Sequence, residues 1–202
     1  MNLRHRRRQR RRLRTARFRI HLCTIALLAL GCAASVRPQD TPHVEYQLKA
    51  AFLFNFAKFF EWPTDAFESA KAPISICVFR HDPFGGALEE VIREKAINNR
   101  ELQARRINEP SELKTCQLVF VSDREGRQLP EILNSLKGSS ALVVGEGADF
   151  ADRGGAIQFF LENNKLRFAI NVDAIQRARL QASSKLLALA RIVHDKDHPK
   201  GG

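Results

Sequence analysis

Residues 154–171 read GGAIQFFLENNKLRFAIN, and this stretch decides how the last part of the chain folds. Asn163 and Asn164 separate two runs rich in β-forming residues, a pattern typical of a two-residue hairpin turn. In each run, apolar side chains occupy every second position. Because successive side chains of a strand point to opposite faces, the pattern predicts two antiparallel strands that share one apolar face.

Two helical pieces are predicted after this hairpin. Asn171 or Asp173 is expected to cap the first piece, since a short side-chain oxygen can accept from a free N–H in the first turn. Ser183 is expected to cap the second piece, in which apolar residues recur at helical spacing as far as Val193. The stretch contains no acid–base pair, phosphate-binding loop or metal cluster, so its pattern indicates packing rather than chemistry.

The net charge of +11 comes from the N-terminal segment. Residues 1–37 contain eleven arginines and no acid, which leaves 22 basic residues against 22 acidic ones in the rest of the chain. A formally neutral remainder has no overall positive field with which to hold a polyphosphate. Nucleic acid is therefore not an expected partner.

The basic segment has the order of an export signal. A long arginine-rich region precedes an apolar core at residues 22–30, and small residues follow at 31–35. The apolar run is too short to span a bilayer comfortably. The abrupt change from arginines to apolar residues argues against the alternative, a basic RNA-binding arm. We therefore predict a signal peptide at residues 1–33 and export of the mature protein.

Cys32 introduces a second form of this signal. Residues 28–32 read LALGC, a loose version of a lipobox, in which the cysteine would be acylated and would become the mature N-terminus. The leucine before the glycine fits that motif poorly, so cleavage after Ala33 or Ala34 and a soluble product are preferred. A short polar linker at residues 34–43 then leads into the domain.

Cys77 and Cys116 remain once the signal is removed. Two cysteines in an exported protein favour one disulfide. Both lie in predicted strands, and neighbouring strands would bring their side chains together. Two separate buried thiols are the alternative that the sequence leaves open.

Strand and helix patterns alternate through the middle of the chain. The predicted elements are strands at 74–79, 102–107, 116–121 and 141–144 and helices at 87–96 and 128–137. Such alternation predicts a sheet layered with helices, to which the hairpin adds antiparallel strands. The expected fold is one α/β domain over residues 44–193, with a central mixed β-sheet flanked by helices and ending in a β-hairpin and a C-terminal helix. Residues 194–202 are expected to form a flexible tail.

The first helix of this domain is predicted over residues 44–62, before a proline. On a helical wheel, Val44 and Leu48 belong to an apolar face centred on Asn55, and this face is assigned to the sheet. The apolar arc continues well beyond the width that one core-facing side needs. We therefore predict that Leu53, Phe56 and Phe60, which point further round, contact a second subunit or a regulated membrane protein.

Separated stretches of the sequence resemble one known family. Residues 46–63 read YQLKAAFLFNFAKFFEWP, and the second stretch joins residues 155–171 to SSKLLALA at 183–190, with DPFG at 82–85 between them. In this order they resemble the YfiR family of exported bacterial proteins. The resemblance covers residues 46–193.

The resemblance implies a non-catalytic periplasmic domain that binds the periplasmic part of an inner-membrane diguanylate cyclase and holds that enzyme inactive. Release of such a repressor would raise cyclic di-GMP and favour biofilm formation. It also implies a disulfide between Cys77 and Cys116 and the possibility of a homodimer. Neither a cofactor nor a metal is expected. A second disulfide of some members would fall near residues 145–160, where this chain has no cysteine.

Two other functions compete with that of a repressor. Loops at residues 80–86, 122–126 and 145–155 would meet at the strand ends and form a cleft for a small molecule, as in a sensor module of an envelope signalling system. An enzyme would need a nucleophile, and Cys77 with His81 is the nucleophile–base pair close in sequence. A disulfide at Cys77 would remove that nucleophile, so the sequence favours a regulatory protein over an enzyme.

Overall fold

The computed structural model describes residues 41–196, and the predicted signal peptide, with Cys32, lies outside that range. The α-helices of the described part are α1 (Thr41–Phe59), α2 (Ala87–Ile92), α3 (Leu129–Ser135), α4 (Val172–Arg177) and α5 (Ser184–Leu187). Its strands are β1 (Phe60–Glu61), β2 (Ile74–Phe79), β3 (Ala96–Ile97), β4 (Arg100–Ile107), β5 (Leu118–Val121), β6 (Leu142–Gly145), β7 (Ile157–Glu162), β8 (Lys165–Asn171), β9 (Gln181–Ala182) and β10 (Arg191–Val193). Short 3-10 helices occupy Thr64–Ala66, Pro110–Thr115 and Asp123–Gln128.

Eight of these strands form one mixed sheet in the order β10-β8-β7-β6-β5-β2-β4-β3. The pairs β7–β8 and β3–β4 are antiparallel. The other neighbours are parallel. Strands β1 and β9 form a separate antiparallel pair. The predicted α/β class, with a central mixed sheet flanked by helices, is therefore confirmed.

The hairpin predicted at Asn163 and Asn164 is present between β7 and β8. The two asparagines have positive φ angles, 51° and 57°, as a two-residue type I′ turn requires. Ile157 and Phe159 are buried, whereas Leu161, nearer the turn, is 60% exposed. The predicted apolar face of the hairpin therefore packs into the core over the part that is farther from the turn.

The sheet carries a hydrophobic core on each face. Helix α1 covers one face, where its buried side chains meet alternate residues of the central strands. Helix α3 and the 3-10 helix Pro110–Thr115 cover the other face, where Phe79, Val119 and Phe150 are buried. Because both faces are covered, strands β2, β5 and β6 are buried along their whole length and read as continuous apolar runs.

Helix α1 differs from its prediction at both ends. It begins at Thr41, inside the segment predicted to be a linker, and it ends at Phe59 rather than Trp62. Pro42 suits the first turn of a helix, where its missing N–H would be unpaired in any case. At the other end the chain leaves the helix because β1 pairs with β9.

Helix α1 is also rotated by about half a turn from its predicted orientation. Leu53 and Phe56 are fully buried and Phe60 is 4% exposed, so all three belong to the core beneath the helix. Val44 and Leu48, which the sequence pattern assigns to the sheet, are 48% and 47% exposed. The prediction that Leu53, Phe56 and Phe60 contact another protein is therefore wrong. Both sides of α1 are apolar, so helical periodicity alone cannot select the buried one.

The caps predicted after the hairpin are present. The Asn171 side-chain oxygen accepts from the Ala174 N–H at 3.0 Å, and Ser183 Oγ accepts from the Leu186 N–H at 3.3 Å. The helix after Ser183 is shorter than predicted, since it ends at Leu187. Strand β10 follows instead and pairs with β8 in parallel.

The segment predicted as a flexible tail begins with anchored residues. Asp195 forms an ion pair with Arg177, and Lys196 lies 2.5 Å from a carboxylate oxygen of Asp152. The packed domain therefore extends beyond its predicted boundary at residue 193. The remainder of the predicted tail, from residue 197, lies outside the described range.

Candidate functional site

The two cysteines of the domain are bonded to each other. Cys77 lies in β2, and Cys116 lies just before the parallel neighbour β5, with 6.0 Å between their Cα atoms. Both side chains are buried in the core that α3 covers. The structure thus contains the disulfide that the sequence favours. The same bond leaves Cys77 without a thiol, so the cysteine–histidine pair with His81 has no nucleophile in this state.

A buried ion pair joins α1 to the carboxyl edge of the sheet. Lys49 is 3% exposed, and Glu146, directly after β6, is 8% exposed. The ammonium of Lys49 pairs with one carboxylate oxygen of Glu146 and lies 2.6 Å from Glu45, one turn earlier on α1. A charge removed from water is tolerated only when it is paired and hydrogen-bonded, and the structure supplies both conditions.

Tyr46 adds a further partner to Glu146. Its hydroxyl donates to Glu146 Oε1 at 2.7 Å, and the backbone N–H of Asp123 donates to the same oxygen at 3.3 Å. The Tyr46 ring packs edge-on against Phe84, with 5.7 Å between ring centroids. Burial, followed by the hydrogen bond to Glu146 and the charge of that carboxylate, raises the pKa of Tyr46 well above its ordinary value. Tyr46, Lys49 and Glu146 are called the polar cluster below.

The polar cluster lies where a ligand cleft was predicted. The loops predicted to line that cleft are at residues 80–86, 122–126 and 145–155. Two of them meet at the carboxyl edge of the sheet, where the Asp123 N–H donates to Glu146, and Phe84 of the third packs against Tyr46. The same edge receives Tyr46 and Lys49 from α1. The structure therefore joins these loops to α1 through the polar cluster.

The outward side of α1 carries exposed apolar residues. Val44, Leu48, Ala51 and Asn55 lie along one stripe at helical spacing, with Ala51 and Asn55 partly buried, and these four residues are called the outer face of α1 below. Val44 and Leu48, one turn apart, are each about half exposed. Apolar side chains one turn apart on a helix are the kind of anchor that a groove on another protein can accept.

Sequence reasoning missed the polar cluster and therefore the outer face. Lys49 shares the buried side of α1, but lysines are rarely buried, so the sequence argues against that orientation. Its partner Glu146 is 97 residues away, and no local pattern connects the two. The position of Lys49 in helical register with Leu53 is the sequence signal that points to a buried partner.

Within residues 41–196, no group of three or more histidine, cysteine, aspartate or glutamate side chains is placed to hold a metal ion. Among the helices of the same range, none is long and apolar enough to cross a membrane. The features that the fold does bring together are a disulfide, a polar cluster and an exposed helix face.

These features define an α/β domain with a buried disulfide, a buried polar cluster and an exposed helix face. The sequence matches the model of the YfiR/HmsC-like family over residues 46–191, from the first half of α1 to the start of β10. The chain therefore belongs to the YfiR/HmsC-like family. At the level of the family, this places it among periplasmic regulators of diguanylate cyclase signalling, a regulatory rather than a catalytic group.

Proposed function

We propose that this protein is a periplasmic repressor that binds the periplasmic part of an inner-membrane diguanylate cyclase through the outer face of α1. Binding holds the cyclase inactive and so limits cyclic di-GMP synthesis and biofilm formation. The observation that carries the proposal is the exposure of Val44 and Leu48 on a helix whose opposite side is fully packed. When a partner covers apolar side chains of this kind, the burial of their surface favours binding.

The polar cluster supports this role for the outer face. Lys49 and Tyr46 attach the N-terminal half of α1 to Glu146, and Val44 and Leu48 belong to the same half of the helix. A helix fixed in this way offers its apolar side chains in one orientation before a partner arrives. Less conformational entropy is then lost on binding, which favours affinity.

A periplasmic location is supported by the order of the basic, apolar and small-residue blocks in residues 1–33. The disulfide between Cys77 and Cys116 agrees with it, because such bonds persist in oxidising compartments. N-terminal sequencing of the protein isolated from cells tests the location. The expected mature chain starts close to residue 34, and acylation of Cys32 would identify the lipid-anchored form instead. A cytoplasmic chain that still begins at Met1 would contradict the location.

Inhibition of a cyclase tests the repressor function. Membranes that contain a full-length inner-membrane diguanylate cyclase from the same bacterium are mixed with increasing amounts of the mature protein, and cyclic di-GMP synthesis from GTP is followed. Synthesis is expected to fall to a plateau as the protein saturates the cyclase. Unchanged synthesis with every inner-membrane cyclase of that bacterium that has a periplasmic domain would contradict the proposal.

A further inference from the structure

A cleft of about 640 Å³ lies between α3 and α4, away from the residues of the polar cluster and of the outer face. Its volume falls in the range of pockets that hold small molecules. Ala141, Val143, Ala156 and Ala174 line the cleft and are buried. Small side chains leave the space between the two helices unfilled, so the floor of the cleft is both apolar and open.

The rim of this cleft is cationic. Lys137, Arg153 and Arg177 line it, and its lining residues include no aspartate or glutamate. Arg177 is paired with Asp195. Within the described part of the chain, Lys137 and Arg153 form no ion pair, and Arg153 donates one hydrogen bond, to the Gly126 carbonyl at 3.2 Å. Two cations therefore border an apolar floor with their charges available to a ligand.

A second cleft on the same domain has a different charge pattern. It is smaller, about 280 Å³, and its charged lining residues are Asp65, Glu68, Arg105 and Lys114. Acids and bases balance there, so the smaller cleft has no preference for the sign of a ligand's charge. Charge complementarity thus singles out the cleft between α3 and α4 as a site for an anion with an apolar body.

We propose that the cleft between α3 and α4 binds a small amphiphilic carboxylate, whose apolar body covers the alanine-lined floor and whose carboxylate meets Lys137 and Arg153. Guanidinium and ammonium groups form charge-assisted hydrogen bonds with carboxylates. Burial of the ligand's apolar body against the apolar floor adds a hydrophobic contribution to the affinity. The site is separate from the outer face of α1, so this proposal stands whether or not the protein represses a cyclase.

Calorimetric titration of the mature, oxidised protein with octanoate tests this site. Octanoate is expected to bind saturably with one site per chain. Acetate lacks the apolar body and octylammonium lacks the negative charge, so both are expected to bind at least about tenfold more weakly. Raising the salt concentration should weaken octanoate binding, since the rim charges are exposed to solvent. Octylammonium that binds as well as octanoate, or octanoate that does not saturate, would overturn the proposal.

Variants locate the binding to this cleft. Lys137→Gln and Arg153→Gln are each expected to weaken octanoate binding by about three- to tenfold. Ala178, directly after α4, is a half-buried residue of the cleft wall. Ala178→Leu adds volume there and is expected to weaken octanoate binding by more than about tenfold. Lys114→Gln in the smaller cleft is the matched control and should bind like the unaltered protein. Unfolding followed by the fluorescence of Trp62 verifies that each variant is folded. Equal binding by Ala178→Leu and the unaltered protein would overturn the assignment to this cleft.

Discussion

Lys49 of α1 and Glu146 after β6 lie 97 residues apart in sequence and form an ion pair in the buried edge of the domain. A lysine is tolerated on the buried side of a helix only where an opposite charge meets it. Their contact therefore fixes which side of α1 faces the sheet. The opposite side, with Val44 and Leu48, is turned outward as a consequence. The ion pair thus connects the fold of the domain to its proposed contact surface.

Replacing Glu146 with alanine is expected to lower the free energy of unfolding by about 3–5 kcal/mol, because Lys49 would stay buried without its main partner. Urea unfolding followed by the fluorescence of the single tryptophan measures this loss. Glu162→Ala is the matched control, since its pair with Arg167 is 3.9 Å long and both side chains are more than half exposed. That variant should lose less than about 1 kcal/mol. Similar losses in the two variants would mean that the buried pair does not hold α1 in place.

The ionisation of Tyr46 offers a spectroscopic test of the same cluster. Burial and Glu146 raise the pKa of Tyr46 above the ordinary value of 10.0. The folded protein should therefore keep this phenol protonated at a pH at which the urea-unfolded chain ionises it. The chain has one tyrosine, so the ultraviolet absorbance of phenolate reports this group alone. Protonated Tyr46 therefore contributes to the free energy of unfolding. This contribution is fully present below roughly pH 10 and is lost as the pH rises through the higher pKa of the folded state. Tyr46→Phe should remove that part of the alkaline stability loss. Titration of the folded phenol near pH 10.0 would contradict the geometry.

The disulfide should contribute to stability through the unfolded state. Cys77 and Cys116 are separated by 39 positions, and closing a loop of this order is worth about 2–4 kcal/mol. The double variant Cys77→Ala, Cys116→Ala is therefore expected to unfold at a lower urea concentration than the oxidised protein. A reducing agent should destabilise the unaltered protein and leave the double variant unchanged. Equal stability of the oxidised protein and the double variant would show that the disulfide contributes nothing to the free energy of unfolding.

Phe56→Ala tests the assignment of that ring to the core. Phe56 is fully buried and stacks against Phe159 with 5.7 Å between ring centroids. Its removal is expected to cost about 3–5 kcal/mol in the free energy of unfolding. Thermal and urea unfolding measure this cost. A variant of nearly normal stability would contradict the burial of this ring.

Local chemistry explains which parts of the fold were predictable. The turn at Asn163 and Asn164 follows from residues that tolerate positive φ, and the caps at Asn171 and Ser183 follow from side-chain oxygens placed before short helices. Strands β2 and β5 are short apolar runs bounded by polar loops, so a few consecutive residues suffice to predict each strand. Each of these signals is complete within one turn or one element.

Contacts between distant residues explain what was not predictable. The rotation of α1 depends on Lys49 meeting Glu146, and an amphipathic pattern could not reveal it because both sides of the helix are apolar. Strand β10 looks helical by its apolar spacing, yet it becomes a strand because β8 offers a parallel edge. In both cases tertiary pairing decides between two locally acceptable conformations.

The proposed contact surface is tested most directly by the binding of two single leucine variants to the detergent-solubilised cyclase. Leu48→Gln removes an apolar side chain from the outer face of α1, and Leu189→Gln makes the same change at a more exposed leucine, 73% against 47%, outside α1. Both variants should unfold within about 0.5 kcal/mol of the unaltered protein. Leu48→Gln is expected to raise the Kd for the cyclase at least about tenfold, whereas Leu189→Gln should leave it unchanged. Equal affinity of Leu48→Gln and the unaltered protein would contradict the claim that the outer face of α1 is the contact surface.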